Sequence, residues 1–298
     1  MTKYFIRVLL IFFLLPSSLL AEEYNTEMKL YPKQFKLDEG IAVGIIIMDQ
    51  KHQDSKITPI MEKLELEARE IFAPLDERNL TSDIIRFNST DKPKAFSSTP
   101  FFAAIIDSAV IIAKDTRGEV NLFEPNNTKS YKKVRVNLNK SLINVGDSNI
   151  KVNIKPIVPG FIADMLIKRI EALGIQNALV KVSNSYKAIG TSNNGPWKIQ
   201  IHDPVGAFTN RAIYVSIKDA GLTTINFKLF KEYLIDSSPP SDDLSTVTVI
   251  AKNSATSATF AFAAFKMGMN GAKIMLEKFG YKGIISSKQG NFIRTNGF

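Results

Sequence analysis

Two kinds of hydrophobic pattern run along the chain. Residues 41–49, "IAVGIIIMD", form a continuous apolar run of strand length, as a strand buried on both faces requires. Beyond it, Ile57, Met61, Leu64, Ala68 and Ile71 recur at helical spacing, which predicts an amphipathic helix over 55–73. "TSDIIRFN" (81–88) reads as a loop or short helix. "TPFFAAIIDSAVIIAKDT" (99–116) predicts a strongly apolar helix, with Thr99 as N-cap and Pro100 in the first turn. "KKVRVNL" (132–138) and "NIKVNI" (149–154) alternate apolar and polar positions, the signature of half-buried strands. Ile162, Leu166, Ile170 and Leu173 share one face of a helix over 160–175, and Gly174 stops it. "ALVKV", "WKIQIHD", "AIYVSI" and "GLTTINF" then follow as strands in close succession. "SSPPSDD" (237–243) is a loop, "STVTVIA" (245–251) a strand, and 254–267 and 271–280 are helices. "GIISS", the turn "KQGN" and "FIRTN" close the chain as a hairpin. The mixture of helices with successive strands predicts an α+β fold, with mixed sheets packed against helices in one domain over 22–298.

The first residues stand apart from that domain. Lys3 and Arg7 precede an apolar run at 8–15, and "PSSLLA" ends on Ala21 before a polar stretch. A basic start, a short apolar middle and a small residue at the cut predict a secretory signal peptide over 1–21. The apolar run is short for a membrane span. The expectation is therefore a soluble exported (periplasmic) protein after cleavage. With no cysteine in the 298 residues, disulfides, thiolate metal sites, a thiol nucleophile and a lipid-accepting thiol are excluded. The formal net charge of +9 falls to about +7 without the leader. Its lysines are scattered, with no arginine-rich arm and no interleaving of basic and aromatic residues. Solvated basic faces are expected, and nucleic acid is not an expected partner.

Little of the usual catalytic chemistry is present. The two histidines, His52 and His202, lie in different elements without a second histidine at ligand spacing, which argues against a histidine zinc site. No nucleophile elbow, dinucleotide fingerprint or Walker loop occurs. "GTSNNGP" (190–196) has turn chemistry. At "VPGF" (158–161), Gly160 permits close backbone approach at a helix start, either to an anion or as a simple turn into the helix. "KNSATSAT" (252–259) offers hydroxyls and amide N–H groups at another helix start, with Ser254 read as a plain N-cap. Between Asp243 and Glu277 there is no acidic residue at all. A strand-to-helix junction of small neutral residues is an unusual place for a site.

In order along the chain, these segments resemble the FAD:protein FMN transferase family of the ApbE type. "TSDIIRFN" is similar to its S-E-[LI]-x-R-[LF]-N. "AVIIAKDTRGEVNLFEP" (109–125) resembles its A-x-x-[IV]-S-x-x-T-x-G-x-[FY]-[DN] segment. The helix at "VPGFIAD" resembles its K-G-[YW]-A-[VA]-D, and "GPWKIQIHDP" (195–204) its G-x-x-W-x-[VI]-x-[IV]-x-D-P. "STVTVIA" and the following helix match its magnesium-site junction. The resemblance implies an ApbE-like domain that works outside the cytoplasmic membrane. It implies FAD as cofactor-substrate, cleavage with magnesium, and attachment of FMN to a threonine of a partner. That partner would be a flavoprotein or a subunit of a membrane redox complex.

The departures fall on the chemistry. The family's lysine-glycine pair is Pro159 and Gly160 here. Its glycine pair and acid at a strand end are Ser183, Asn184 and Ser185. Thr223 and Thr224 remain from a threonine-serine-glycine strand, with Ile225 at the glycine. The histidine position falls near Tyr233, with Asp236 retained and Ser237 in place of proline. The aspartate and threonine that hold the metal, four residues apart on one helix face, align with Ala258 and Phe262. Magnesium needs hard oxygen ligands, at least one of them a carboxylate. The expected reading is therefore a catalytically silent relative without a metal site, in which Gly160, Thr223, Thr224 and Asp236 are the candidates for flavin binding. Gly160, Asp164, Trp197, Asp203, Pro204 and Thr223 are expected to support the fold. Two other readings stay open. One is an active magnesium-dependent transferase with a carboxylate supplied by Asp236, Asp242 or Asp243; the other is a ligand-free scaffold.

Overall fold

The computed structural model describes residues 28–38, 40–124, 129–201, 213–234 and 244–298. The leader at 1–21, His202, Asp203, Pro204, Asp236 and the "SSPPSDD" loop with Asp242 and Asp243 lie outside the described residues. The chain begins with β1 (Met28–Lys36), β2 (Ala42–Gln50), α1 (Asp54–Phe72), α2 (Asp83–Asn88), β3 (Ala95–Ser97) and α3 (Pro100–Asp115). It continues through β4 (Phe123–Glu124), β5 (Val134–Asn137), β6 (Leu142–Val145), β7 (Lys151–Val152) and α4 (Val158–Ala172). Next come β8 (Ala178–Val182), β9 (Ser185–Ile189), β10 (Trp197–Ile201), β11 (Ile213–Ile217), β12 (Gly221–Asn226) and α5 (Phe227–Tyr233). The last elements are β13 (Leu244–Ala251), α6 (Ser254–Lys266), α7 (Gly268–Lys278), β14 (Lys282–Ser287) and β15 (Phe292–Arg294).

The organising element is an eight-stranded sheet in the order β1-β2-β8-β9-β12-β13-β14-β15. Each neighbouring pair runs antiparallel. One face carries Val43, Ile45, Ile47, Val180, Val247 and Val249 into the main core beneath the helices. The opposite face carries Met48, Ala188, Leu222 and Ile284 into a second core, closed by Trp197, Ile199 and Ile201 of β10 with Val215 and Ile217 of β11. Burial on both faces explains why β2 reads as an unbroken apolar run rather than an alternating one; β13 is buried likewise but interleaves Ser245, Thr246 and Thr248 with its apolar residues. Trp197 is the aromatic of that second core, and its indole N–H donates to the Ile189 carbonyl at 3.1 Å. Together these observations make the fold α+β. Among the described residues, no helix is long and apolar enough to cross a membrane.

The periodic segments fold as the pattern predicts. α1 buries Ile57, Met61, Leu64, Ala68 and Ile71. Thr99 caps α3 by accepting from the Phe102 N–H at 3.3 Å, and Gly174, at φ +80°, ends the α4 segment. Other segments differ. β1 carries no prediction, because it is an edge strand with alternating exposure, three lysines and Pro32 in it. Proline is tolerated there because an edge strand leaves one row of N–H groups without a partner strand. β9 is equally silent in sequence. The Ser183–Asn184 turn, with Ser183 at φ +49°, folds it back onto β8.

The expected strand at 149–154 shrinks to the two residues of β7. Asn153 ends it by turning its side chain inward, with Oδ1 accepting from the Lys155 N–H at 3.2 Å and Nδ2 donating to the Tyr233 carbonyl at 2.7 Å. "TSDIIRFN" is a helix, and its polar residues are fasteners. Asp83 accepts from the Thr99 N–H at 2.7 Å. Asn88 both accepts from and donates to the backbone of Val152, at 2.9 and 3.0 Å.

Candidate functional site

The junction between β13 and α6 lies at the centre of the molecule. Every residue of β13 is buried except Ile250, which is partly so. Along α6, residues 254, 255 and 257–265 are buried. Two glycines make this possible. A Cβ on Gly160 of α4 would lie 2.4 Å from the Ser254 carbonyl oxygen and 2.7 Å from the Ala255 nitrogen. A Cβ on Gly221 of β12 would lie 2.3 Å from the Ser254 nitrogen. The close approach that Gly160 permits is therefore to the backbone at the start of α6.

That start is capped from a distance. The Asp164 carboxylate accepts from the Ser254 and Ala255 N–H groups, both at 2.8 Å. Its negative charge sits at the positive end of the helix dipole. Burial pushes the Asp164 carboxyl above the usual carboxylate range, and the two amide bonds partly oppose that shift. The sequence assigns the N-cap to Ser254, and the structure corrects this. Asn253 holds the N-cap position without a side-chain bond, while the Ser254 hydroxyl is buried with no hydrogen-bond partner. An acid reaching across from another helix has no local signature. The hints in sequence are that Asp164 stands among the apolar residues of the first half of α4 and closes the family-like "VPGFIAD".

The candidate flavin-binding residues fall in different surroundings. Thr223 is fully buried, and its hydroxyl bridges those of Ser185 and Ser257, both at 2.9 Å. The Ser257 hydroxyl donates onward to the Ser254 carbonyl at 2.9 Å. Thr224 points to the other face and pairs with the Thr248 hydroxyl at 2.9 Å. Gly160 lies in the first turn of α4 against Ser254. The structure thus joins Gly160 and Thr223 through the Ser254–Ser257 turn and leaves Thr224 apart.

Further along α6, the face at Ala258, Phe262 and Phe265 is hydrocarbon. Phe230 of α5 packs against both rings, at 5.2 Å from Phe262 and stacked at 4.7 Å on Phe265. Tyr233 closes edge-on to Phe262 at 6.3 Å. Its phenol donates to Asn184 Oδ1 at 3.3 Å, and burial holds its pKa far above the usual tyrosine value. Such ring pairs contribute about 0.5–1.5 kcal/mol each beyond the area they bury.

The residues of this face do not fit a magnesium ion. Ala258 and Phe262 offer no oxygen from their side chains. The neighbouring hydroxyls are spoken for, with Ser257 on the Ser254 carbonyl and Thr259 on the Ala255 carbonyl at 2.8 Å. Among the described residues no three His, Cys, Asp or Glu side chains converge to hold a metal.

Beside Phe262 opens a cleft of about 380 Å³, walled by residues 118–122 on one side and by Thr259, Phe262, Ala263, Lys266 and Met267 on the other. Thr116 stiffens the first wall. Its buried hydroxyl donates to the Ile112 carbonyl at 2.8 Å and accepts from the Val120 N–H at 3.2 Å. Lys278 forms an ion pair with Glu119 on the same wall. No single stretch of sequence marks this cleft, because its two walls lie far apart along the chain.

The fold, with α6 following β13 of the eight-stranded sheet, is similar to that of solved flavin transferases. The chain superposes on the flavinyl transferase ApbE of Pseudomonas stutzeri in its apo form with a TM-score of 0.71 at 19% identity, covering 90% of this chain and 94% of that one. The corresponding figures for the flavin transferase ApbE of Vibrio cholerae are 0.67, 16%, 91% and 98%. A sequence model of the ApbE family matches residues 40–285, and the chain belongs to that family. A curated relative, the FAD:protein FMN transferase of Treponema pallidum (strain Nichols), is 23% identical over 157 residues, which is 46% of this chain. The chain spans 43% of that relative's length in the match.

Proposed function

We propose that this chain is an exported, catalytically silent member of the ApbE family that keeps a cleft for a flavin-type ligand without the metal chemistry. The observation that carries this reading is the hydrocarbon face of α6. Where the family resemblance places an aspartate and a threonine around magnesium, Ala258 is fully buried and Phe262 packs on Phe230 and Tyr233. Phosphoryl transfer rests on positioning and on neutralising the charge that moves with the phosphate. A phenylalanine ring supplies neither. The leader pattern at 1–21 supports export, and the curated relative's activity supports a flavin nucleotide as the ligand class.

Titrating the mature protein with FAD, with and without magnesium, tests this through flavin fluorescence. The expected isotherms coincide. Binding that appears only with magnesium contradicts the proposal and directs attention to Asp236, Asp242 and Asp243 as a displaced carboxylate source.

A further inference from the structure

We infer that the open face of the β3-β6-β5 sheet, together with the turn at its tip, docks on an anionic lipid surface. The inference is independent of how the β13–α6 junction is read. Three observations carry it. The first is shape. The three strands pair in the order β3-β6-β5. One face sends Phe96, Val134, Ile143 and Val145 into the main core. The other face has nothing packed on it. Register sets Arg135, Asn144 and Ala95 in one row across it, and Asn137, Leu142 and Ser97 in the next. The Gly146 N–H donates to the Lys133 carbonyl at 2.8 Å, which places Lys133 two residues before Arg135 on the same face. All of these residues are exposed except Leu142, which is half-buried. Ala95, Ser97 and Gly146 are small, so the longest side chains on the face are those of Lys133 and Arg135.

The second observation is charge. Residues 129–151 hold six basic residues, all exposed, and one acid, Asp147. Lys133 pairs with that acid at 3.1 Å. Among the described residues no carboxylate pairs with Lys132, Arg135 or Lys140, nor with Lys94 just before β3. On the chain leading into β3, Asp83 is held by Arg86 at 2.9 Å, and Asp91 is the one exposed acid. Basic side chains gathered in this way are drawn to a surface of anionic headgroups.

The third is the tip. The turn between β5 and β6 carries Leu138, which is 50% exposed, with Arg135 before it and Lys140 after it. An exposed leucine flanked by cations suits the boundary between headgroups and acyl chains. No aromatic side chain stands on the open face to stack on a base, so the surface is unlike a nucleic-acid site.

The test sediments the mature protein with phosphatidylcholine vesicles containing about a third phosphatidylglycerol, and with vesicles of phosphatidylcholine alone. Binding is expected to the anionic vesicles only, and it should fall as salt is added. Each basic residue near such a surface contributes about fivefold in affinity, so Lys94→Gln, Arg135→Gln and Lys140→Gln together should weaken binding about a hundredfold. Leu138→Ser should weaken it severalfold. A control with the same loss of charge combines Lys198→Gln, Lys218→Gln and Lys282→Gln, which lie on the side of the second core. It should bind within about threefold of the wild type. All the substituted side chains are exposed, so thermal melts should match the wild type. Failure to sediment with anionic vesicles overturns the inference, as does equal binding to neutral vesicles, or a control that loses as much as the first triple variant. Retention on heparin without vesicle binding would make the partner a soluble polyanion and overturn it equally.

Discussion

Gly160→Ala should unfold the protein well below the melting temperature of the wild type. The added methyl would meet the Ser254 carbonyl oxygen at 2.4 Å, its carbon at 2.5 Å and the Ala255 nitrogen at 2.7 Å. All three are backbone atoms in the first turn of a buried helix, so no flexible side-chain tip can swing away. α4 and α6 must separate, and overpacking of this kind costs about 1–3 kcal/mol, occasionally more. The upper end is expected here, because Gly221 holds the same turn from the opposite side. A loss of about 3 kcal/mol in a domain of this size lowers Tm by about 6–12 °C. Differential scanning calorimetry reads this directly. A melt unchanged within a degree would show that the α4–α6 contact is looser than the structure describes.

Asp164→Ala should be nearly as damaging, for a different reason. It removes the acceptor of two buried N–H groups at the start of α6. A buried donor left without a partner costs about 1–3 kcal/mol, so the pair together should cost about 3 kcal/mol. Asp164→Asn keeps one acceptor oxygen and removes a buried charge, so its loss should be about half as large.

The two proteins should also differ in pH dependence. Burial raises the folded carboxyl of Asp164 above its unfolded value of 3.8. Between those two values the folded state holds a proton that the unfolded state has released. Stability from this group therefore grows as pH falls through the folded value and is least at neutral pH and above. Chemical denaturation across acid to neutral pH should show the wild type gaining on Asp164→Asn as pH drops. A gap that widens in the opposite sense would mean that the two amide bonds outweigh burial.

Both residues illustrate what the sequence conveys and what it does not. The helices α1, α3 and α4 are legible because their apolar pattern is local and strong, and β2 is legible as a continuous apolar run of strand length. The apolar face at Ala258, Phe262 and Phe265 is legible in the same way, by four-residue spacing. What presses on that face is not, because Phe230 and Tyr233 come from a seven-residue helix with no strong period of its own. Asp164 is a similar case. Its partners are backbone N–H groups, which every residue but proline carries, so no residue type at 254 or 255 could announce them. Thr223 is legible as a strand residue, but its place in a hydroxyl chain with Ser185 and Ser257 depends on β9, a strand too polar to predict. The strand-to-helix junction is legible from its own residues, whereas the contact of Gly160 with Ser254 joins segments far apart in the chain.

The central claim is that the junction has lost its metal chemistry while keeping its packing. The most direct measurement incubates the mature protein with FAD, magnesium and a threonine-bearing acceptor peptide, and follows AMP release and peptide mass by chromatography. The account predicts no AMP above the protein-free control and no peptide gaining FMN, with magnesium or without. AMP release and FMN-labelled peptide that both require magnesium would contradict it.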